Sequence, residues 1–138
     1  MQFPDATAMA NAVKQKDVSP RELVKWTIEK AEKHNPSLNA IVSQRYERAL
    51  QEARERDFTG KPFAGVPLFL KDLGQEQAGE LSTSGSRLLA NYCASHSDNY
   101  VKSLEALGFI ILGRTNTPEF GFKNISDSSL HGQVNLPD

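Results

Sequence analysis

Lys71 ends a short apolar run, Gly65-Val66-Pro67-Leu68-Phe69-Leu70, and a turn signal, Asp72-Leu73-Gly74, follows it. A run of this length before such a turn reads as a buried strand from Val66 to Leu70. Side chains alternate along a strand, so Val66, Leu68 and Leu70 share one face and Pro67, Phe69 and Lys71 the other. Asp72 then points away from Lys71. An ammonium set beyond a phenylalanine, with no carboxylate beside it, loses part of its stabilisation, and that is how a lysine becomes a general base. A free lysine titrates near about 10.4, so a base at neutral pH has given up about 4 kcal/mol of ammonium stabilisation. These ten residues alone leave two readings open, a dry base or a solvated lysine at a strand end.

Other chemistry-bearing residues are weaker. Cys93 and His96 stand at C-x-x-H spacing, but one cysteine and three scattered histidines do not make a zinc site, and a buried thiol is the commoner fate of a lone cysteine. His34 and His131 have no partner in sequence and read as structural or exposed. Ser82, Thr83, Ser84 and Ser86 form a hydroxyl cluster that could touch a ligand or simply turn and cap; Ser126, Ser128 and Ser129 read the same way. No G-x-S-x-G, S-x-x-K or G-x-G-x-x-G is present, so serine-hydrolase elbows and dinucleotide binding have no support. Arg114 to Gly121 follows a second apolar run, where ligands bind in open α/β sheets. A capped turn, with Asn116 or Thr117 as N-cap and Pro118 at the first helical position, accounts for the same residues.

The elements that must position these groups are legible from periodicity. Asp5 or Thr7 can cap a short helix from Pro4 to about Lys16. Ser19-Pro20-Arg21-Glu22 is a capping box with proline in the first turn. Its helix runs to about His34, with Leu23, Val24, Trp26, Thr27, Ile28 and Ala31 inward, and Asn35-Pro36 stops it. Ala40 to Ser43 reads as a short strand, and Tyr46 to Arg56 has helical spacing. Gln75 to Ser86 reads as a surface loop, with Ser86 capping a short turn through Leu88 and Leu89. Ser97 or Asp98 caps a helix that Gly108 ends. Phe109 to Leu112 is a second buried strand, which Gly113 breaks. Lys123 to Asp138 reads as a loop. Strand, helix and strand in that order predict a crossover and an α/β fold, with N-terminal helices followed by part of a mixed, largely parallel sheet.

Composition bounds the function. The chain has 138 residues, enough for one core, and 16 basic against 17 acidic residues give a net charge of -1. No basic field calls for nucleic acid or an anionic membrane. A single cysteine fits a reducing compartment, there is no secretory pattern at the N-terminus, and no apolar run could cross a bilayer. A cytoplasmic protein is the expectation.

Taken together, the pieces resemble a known family. Gly65-Val66-Pro67 with Lys71-Asp72, then Ser84-Gly85-Ser86, then Leu104–Gly108 running into Phe109-Ile110-Ile111-Leu112-Gly113, then Thr115-Asn116-Thr117-Pro118-Glu119-Phe120-Gly121, resemble in order and spacing the amino-terminal part of an amidase signature enzyme. The resemblance implies one amidase domain of which 1–138 is the amino-terminal part, 1–61 a helical lead-in and 62–138 the start of the catalytic core. It implies that Lys71 is the base of a Ser–cis-Ser–Lys triad. One serine attacks an amide carbonyl to form an acyl-enzyme, and the other relays the proton. Both belong to a glycine- and serine-rich signature that comes after the equivalent of Asn135-Leu136-Pro137-Asp138. The chain taken alone is then inactive.

No metal or organic cofactor is implied, and the substrate is a small-molecule amide. Two alternatives stay open. One is a glutamyl-tRNA amidotransferase A-type subunit, and the other a non-catalytic remnant that binds a protein partner. A sheet edge left bare would favour self-association.

Overall fold

The computed structural model describes residues 1–137, so Asp138, the last residue of the expected unit, lies outside the described residues. Helix α1 (Ala6–Lys14) starts where Asp5 accepts from the Ala8 amide, and α2 (Pro20–Leu38) starts on the Ser19–Glu22 capping box. Strand β1 (Ile41–Gln44) and helix α3 (Tyr46–Glu55) follow, then β2 (Pro67–Lys71), α4 (Asn99–Leu107) and β3 (Ile110–Thr115). The chain closes with a hairpin of β4 (Asp127–Ser128) and β5 (Gly132–Gln133).

The three longer strands form one mixed sheet in the order β1-β3-β2, with β2 parallel and β1 antiparallel to β3. The expected alternation is visible in the packing. Phe69, Ile110 and Leu112 join Val24, Ile28, Ala49 and Ala53 on the face covered by α2 and α3. Leu68, Leu70 and Ile111 meet Val101 and Leu104 of α4 on the other face. A three-layer α/β arrangement results, with helices on both faces of the parallel pair.

Four expectations need correction. Helix α2 does not stop at Asn35-Pro36 but continues through Pro36 to Leu38. Asn39, in the left-handed conformation, ends it, and the Asn35 side chain both accepts from and donates to the backbone of Ile41 at the start of β1. Gly113 does not break β3, which runs on through Arg114 to Thr115. The stretch from Gln75 to Ser86 is not a surface loop throughout, since Gln77, Ser82, Thr83 and Ser86 are buried. The carboxyl-terminal stretch is a hairpin rather than a loop. It has few large apolar residues, and hydrogen bonds from Asn39 Nδ2 to the His131 and Gln133 carbonyls hold it down.

Gly113 shows how tightly β3 is threaded. Its φ is +151°, and a Cβ there would lie 2.0 Å from the Ser43 carbonyl oxygen on β1. Gly113→Ala therefore forces apart two backbones in a central strand. Denaturant unfolding should register a loss of about 3 kcal/mol or more; a loss below about 1 kcal/mol would show that the strands separate freely at this point.

Candidate active site at the carboxyl end of the parallel strands

Strands β2 and β3 end side by side, with Lys71 paired to Thr115. The polar segments that follow them therefore start from one edge of the sheet, where open α/β folds place their ligands. Two more segments are drawn there. Phe120 N donates to the Ser84 carbonyl at 2.8 Å, and Ser86 Oγ donates to Glu119 Oε1 at 2.8 Å. A Cβ on Gly85 would sit 2.9 Å from the Thr117 carbonyl oxygen, so the 82–86 segment lies directly against the segment leaving β3.

Lys71 is the last residue of β2, and it is exposed. The dry setting expected for it does not hold in this chain. Its face of β2 packs on the α2–α3 layer as far as Phe69, and Lys71 reaches past that layer at the outer strand of the sheet. Its backbone is nonetheless held, because Lys71 N donates to Gln75 Oε1 at 3.1 Å and the Lys71 carbonyl accepts from Arg114 Nη1 at 3.1 Å.

Asp72 does point away from Lys71, and it does far more than end a strand. It is 1% exposed. Its Oδ1 accepts from Thr83 N at 2.9 Å, and its Oδ2 accepts a short hydrogen bond from Thr83 Oγ1. His131 Nε2 stands 3.3 Å from the same Oδ2 and 3.1 Å from Thr83 Oγ1. Arg114 Nη1 lies 3.8 Å from Oδ1. Arg114 is itself 2% exposed. Burial pulls its pKa below the ordinary guanidinium value, and the charges of Asp72, Glu76, Glu80 and Asp98 oppose that. It also donates to the Gly74 carbonyl at 3.0 Å and the Gln75 carbonyl at 2.6 Å.

Of the remaining sequence candidates, some join this cluster and others do not. Thr83 and Ser86 are buried structural hydroxyls, and Ser86 also caps a short turn over Arg87–Leu89 as expected. Ser128 is buried, and its Oγ accepts from His131 N at 3.2 Å. Asn116 does not cap a helix. It accepts from Thr117 N at 2.8 Å while its Nδ2 reaches the Asn39 and Gly132 carbonyls. Pro118 stands just before the turn Glu119–Gly121 rather than inside it. Cys93 is exposed, contrary to the buried thiol expected, because its segment pairs with Leu81 in a single bridge near the surface. His96 gathers with Glu76 and Asp98 rather than with Cys93, their donor atoms lying within 4.8 Å of one another. That group joins two loop segments, since Asp98 Oδ2 also accepts from Glu76 N at 2.9 Å.

The amidase family model matches residues 22–137. The chain belongs to the amidase signature family. It is 47% identical over 132 residues to the lipoamidase of Enterococcus faecalis, a match covering 94% of this chain and 18% of that protein. It is 35% identical over 132 residues to the A-type subunit of glutamyl-tRNA(Gln) amidotransferase from Dechloromonas aromatica, covering 91% of this chain and 27% of that one. The solved structure of 6-aminohexanoate cyclic dimer hydrolase complexed with substrate superposes with a TM-score of 0.89 at 35% identity, over 95% of this chain and 27% of that chain. The chain thus spans about a quarter or less of the length of these relatives. Among the described residues no helix of this amidase chain is long and apolar enough to cross a membrane.

From the sequence, Asp72 reads as a turn residue pointing away from Lys71, and His131 as structural or exposed with no partner. Arg114 and Thr83 read as members of polar stretches without a partner. Thr83 offers a direct check. Thr83→Val keeps the shape and removes the hydroxyl shared by Asp72 and His131, leaving a buried carboxylate short of one donor. The expected cost in chemical denaturation is about 1–3 kcal/mol, and no measurable loss would mean that the hydroxyl is dispensable to the cluster.

Proposed function

We propose that this chain is the amino-terminal part of a single amidase domain, with 1–61 as helical lead-in and 62–138 as the start of the catalytic core, and that the whole enzyme hydrolyses a C–N amide bond of a small molecule. The observation that supports this most is the position of Lys71. It closes β2 beside the end of β3, and four polar segments converge on that edge. In the proposed reaction Lys71 accepts a proton through a serine held on a cis peptide. A second serine, thereby deprotonated, attacks the amide carbonyl. The amine leaves with a proton, and water then cleaves the acyl-enzyme to the acid and restores the serine. Both serines are assigned to residues after 138. An amine serves as a base once its water is removed, and we assign that covering of Lys71 to the remainder of the domain. On this reading the 138-residue chain has no activity of its own.

Higher identity to the lipoamidase than to the amidotransferase subunit supports a hydrolase over an amide-transfer subunit. Self-association follows from the same reading, because β2 is one of the two outer strands of its sheet. Sedimentation should detect dimers at high concentration, and a strict monomer would remove that part.

In the complete reading frame that contains this sequence, Lys71→Ala should lower kcat/KM for an amide substrate about a thousandfold. In the 138-residue chain, where the side chain is exposed, the same substitution should change the unfolding free energy by no more than about 0.5 kcal/mol. Near-normal turnover by that variant would remove Lys71 from the mechanism.

A further inference from the structure

We infer that Arg114 and Asp72 are positioning residues for Lys71, a buried charged clamp that fixes where the lysine leaves the sheet. The inference rests on Lys71 being the base, but the clamp itself is a matter of geometry. Arg114 donates to the carbonyls of Lys71, Gly74 and Gln75, so one guanidinium closes the whole turn after β2. Asp72, next in sequence to Lys71, accepts from Thr83 twice and faces Arg114 and His131. Its own N–H donates to the Thr115 carbonyl at 2.9 Å. Every backbone polar group from Lys71 N to Asp72 N is thereby engaged. The only freedom left to Lys71 is in its side chain.

The sheet carries a feature that serves this clamp. Leu68 pairs with Ile111, but Leu70 pairs with Arg114, so β3 has one residue more than β2 between those two pairs. Paired neighbours on a sheet share a face. Without the extra residue Leu70 would pair with Gly113, and alternation would turn Arg114 to the side of Phe69 and Lys71. The extra residue moves Arg114 to the side of Leu70 and Asp72 instead, beneath the turn. Bulges re-aim side chains in this way beside functional sites. The arrangement needs glycine at 113, where β1 comes within van der Waals distance of the backbone. Packing alone gives no reason to bury a guanidinium here. An apolar side chain would fill the space without the desolvation of two charges. What an apolar residue could not do is hold three carbonyls of one turn at once.

Two measurements test this. The complete reading frame is made as wild type, Lys71→Ala, Arg114→Lys and Asp72→Asn, and assayed with hexanoyl p-nitroanilide as probe amide. Arg114→Lys keeps the charge and loses the fork, while Asp72→Asn keeps the shape and loses the charge. Both should lower kcat at least thirty-fold with KM within three-fold. In parallel, amide hydrogen exchange is followed by NMR on the 138-residue chain. The amides of Lys71 and Asp72 should exchange at least ten-fold faster in both variants, and those of α2 at the wild-type rate.

If Lys71→Ala is inactive while Arg114→Lys and Asp72→Asn keep kcat within three-fold, the inference fails and the role of Lys71 stands. If Lys71→Ala is active, the role of Lys71 fails and the positioning inference with it. Exchange that quickens equally in α2 would mean a general loss of structure and would overturn the inference. If the wild type does not turn over the probe, exchange decides, and unchanged rates at Lys71 and Asp72 overturn it.

Discussion

The pairing of Asp72 with Arg114 sets the terms for everything around the site. Both groups are almost fully withdrawn from water. Each ion costs several kcal/mol to bury, and attraction between them repays that only when their remaining donors and acceptors are filled. Here most of the filling comes from widely separated parts of the chain, while Arg114 Nε is left without a partner. Thr83 supplies two donors to Asp72, and the turn at 71–75 supplies three carbonyls to Arg114. His131 brings the carboxyl-terminal hairpin onto the same carboxylate. The pair is thus the point at which β2, β3, the 82–86 segment and the hairpin become one structure. At 3.8 Å the two charges are not in direct hydrogen-bond contact, and the neighbours carry the geometry.

Sheet topology explains why those segments meet where they do. A parallel pair needs a crossover, and α4 supplies it between β2 and β3. Both strands then end on the same edge of the sheet. The loop leaving β2 and the segment leaving β3 must therefore run side by side, and polar residues placed early in either reach the other. β1 enters antiparallel on the far side of β3 and brings Asn39 and Ala40 to that edge. There the Ala40 carbonyl accepts from Asn116 N at 2.8 Å. The apolar layers lie on the two faces, so this edge is free for chemistry.

Periodicity and capping made most of the scaffold legible. The capping box at Ser19 and the glycine end at Gly108 are local signals with local causes, and the structure has both. Asp98 stands at the N-cap of α4, but its carboxylate accepts from Glu76 N and does not cap the helix. The alternation along β2 was readable because Leu68, Phe69 and Leu70 are each apolar enough to demand a face. Contacts separated in sequence were not readable. Asp72 looks like a turn residue until Thr83, Arg114 and His131 are brought to it, and nothing local to any of the four announces the others. Pro36 misled because proline usually ends a helix by denying it a donor and crowding the preceding turn. Here the helix needs only two further residues, and Asn35 ties its exit to β1. Gly113 misled for a related reason. Its missing side chain reads locally as a break, whereas the strand requires the space it leaves for Ser43.

Exposure of Lys71 follows from the same geometry that brings the polar segments together. An outer strand covers its side chains only where a helical layer extends over them, and the α2–α3 layer reaches Phe69 and no further. The segments that meet at this edge carry exposed apolar groups as well. Phe120 and Phe122 are open to solvent, with ring centroids 6.4 Å apart, and Leu88 lies on the turn that Ser86 caps. Phe120 adopts a φ of +50°, an uncommon conformation for a bulky side chain. Its backbone is held there by hydrogen bonds on both sides, with Phe120 N donating to the Ser84 carbonyl and Gly121 N to that of Pro118. A backbone so constrained around exposed aromatic rings contrasts with the closed apolar layers on the two faces of the sheet. The firmness of the edge therefore comes from buried polar groups beneath it, and its outer surface is left open for contact.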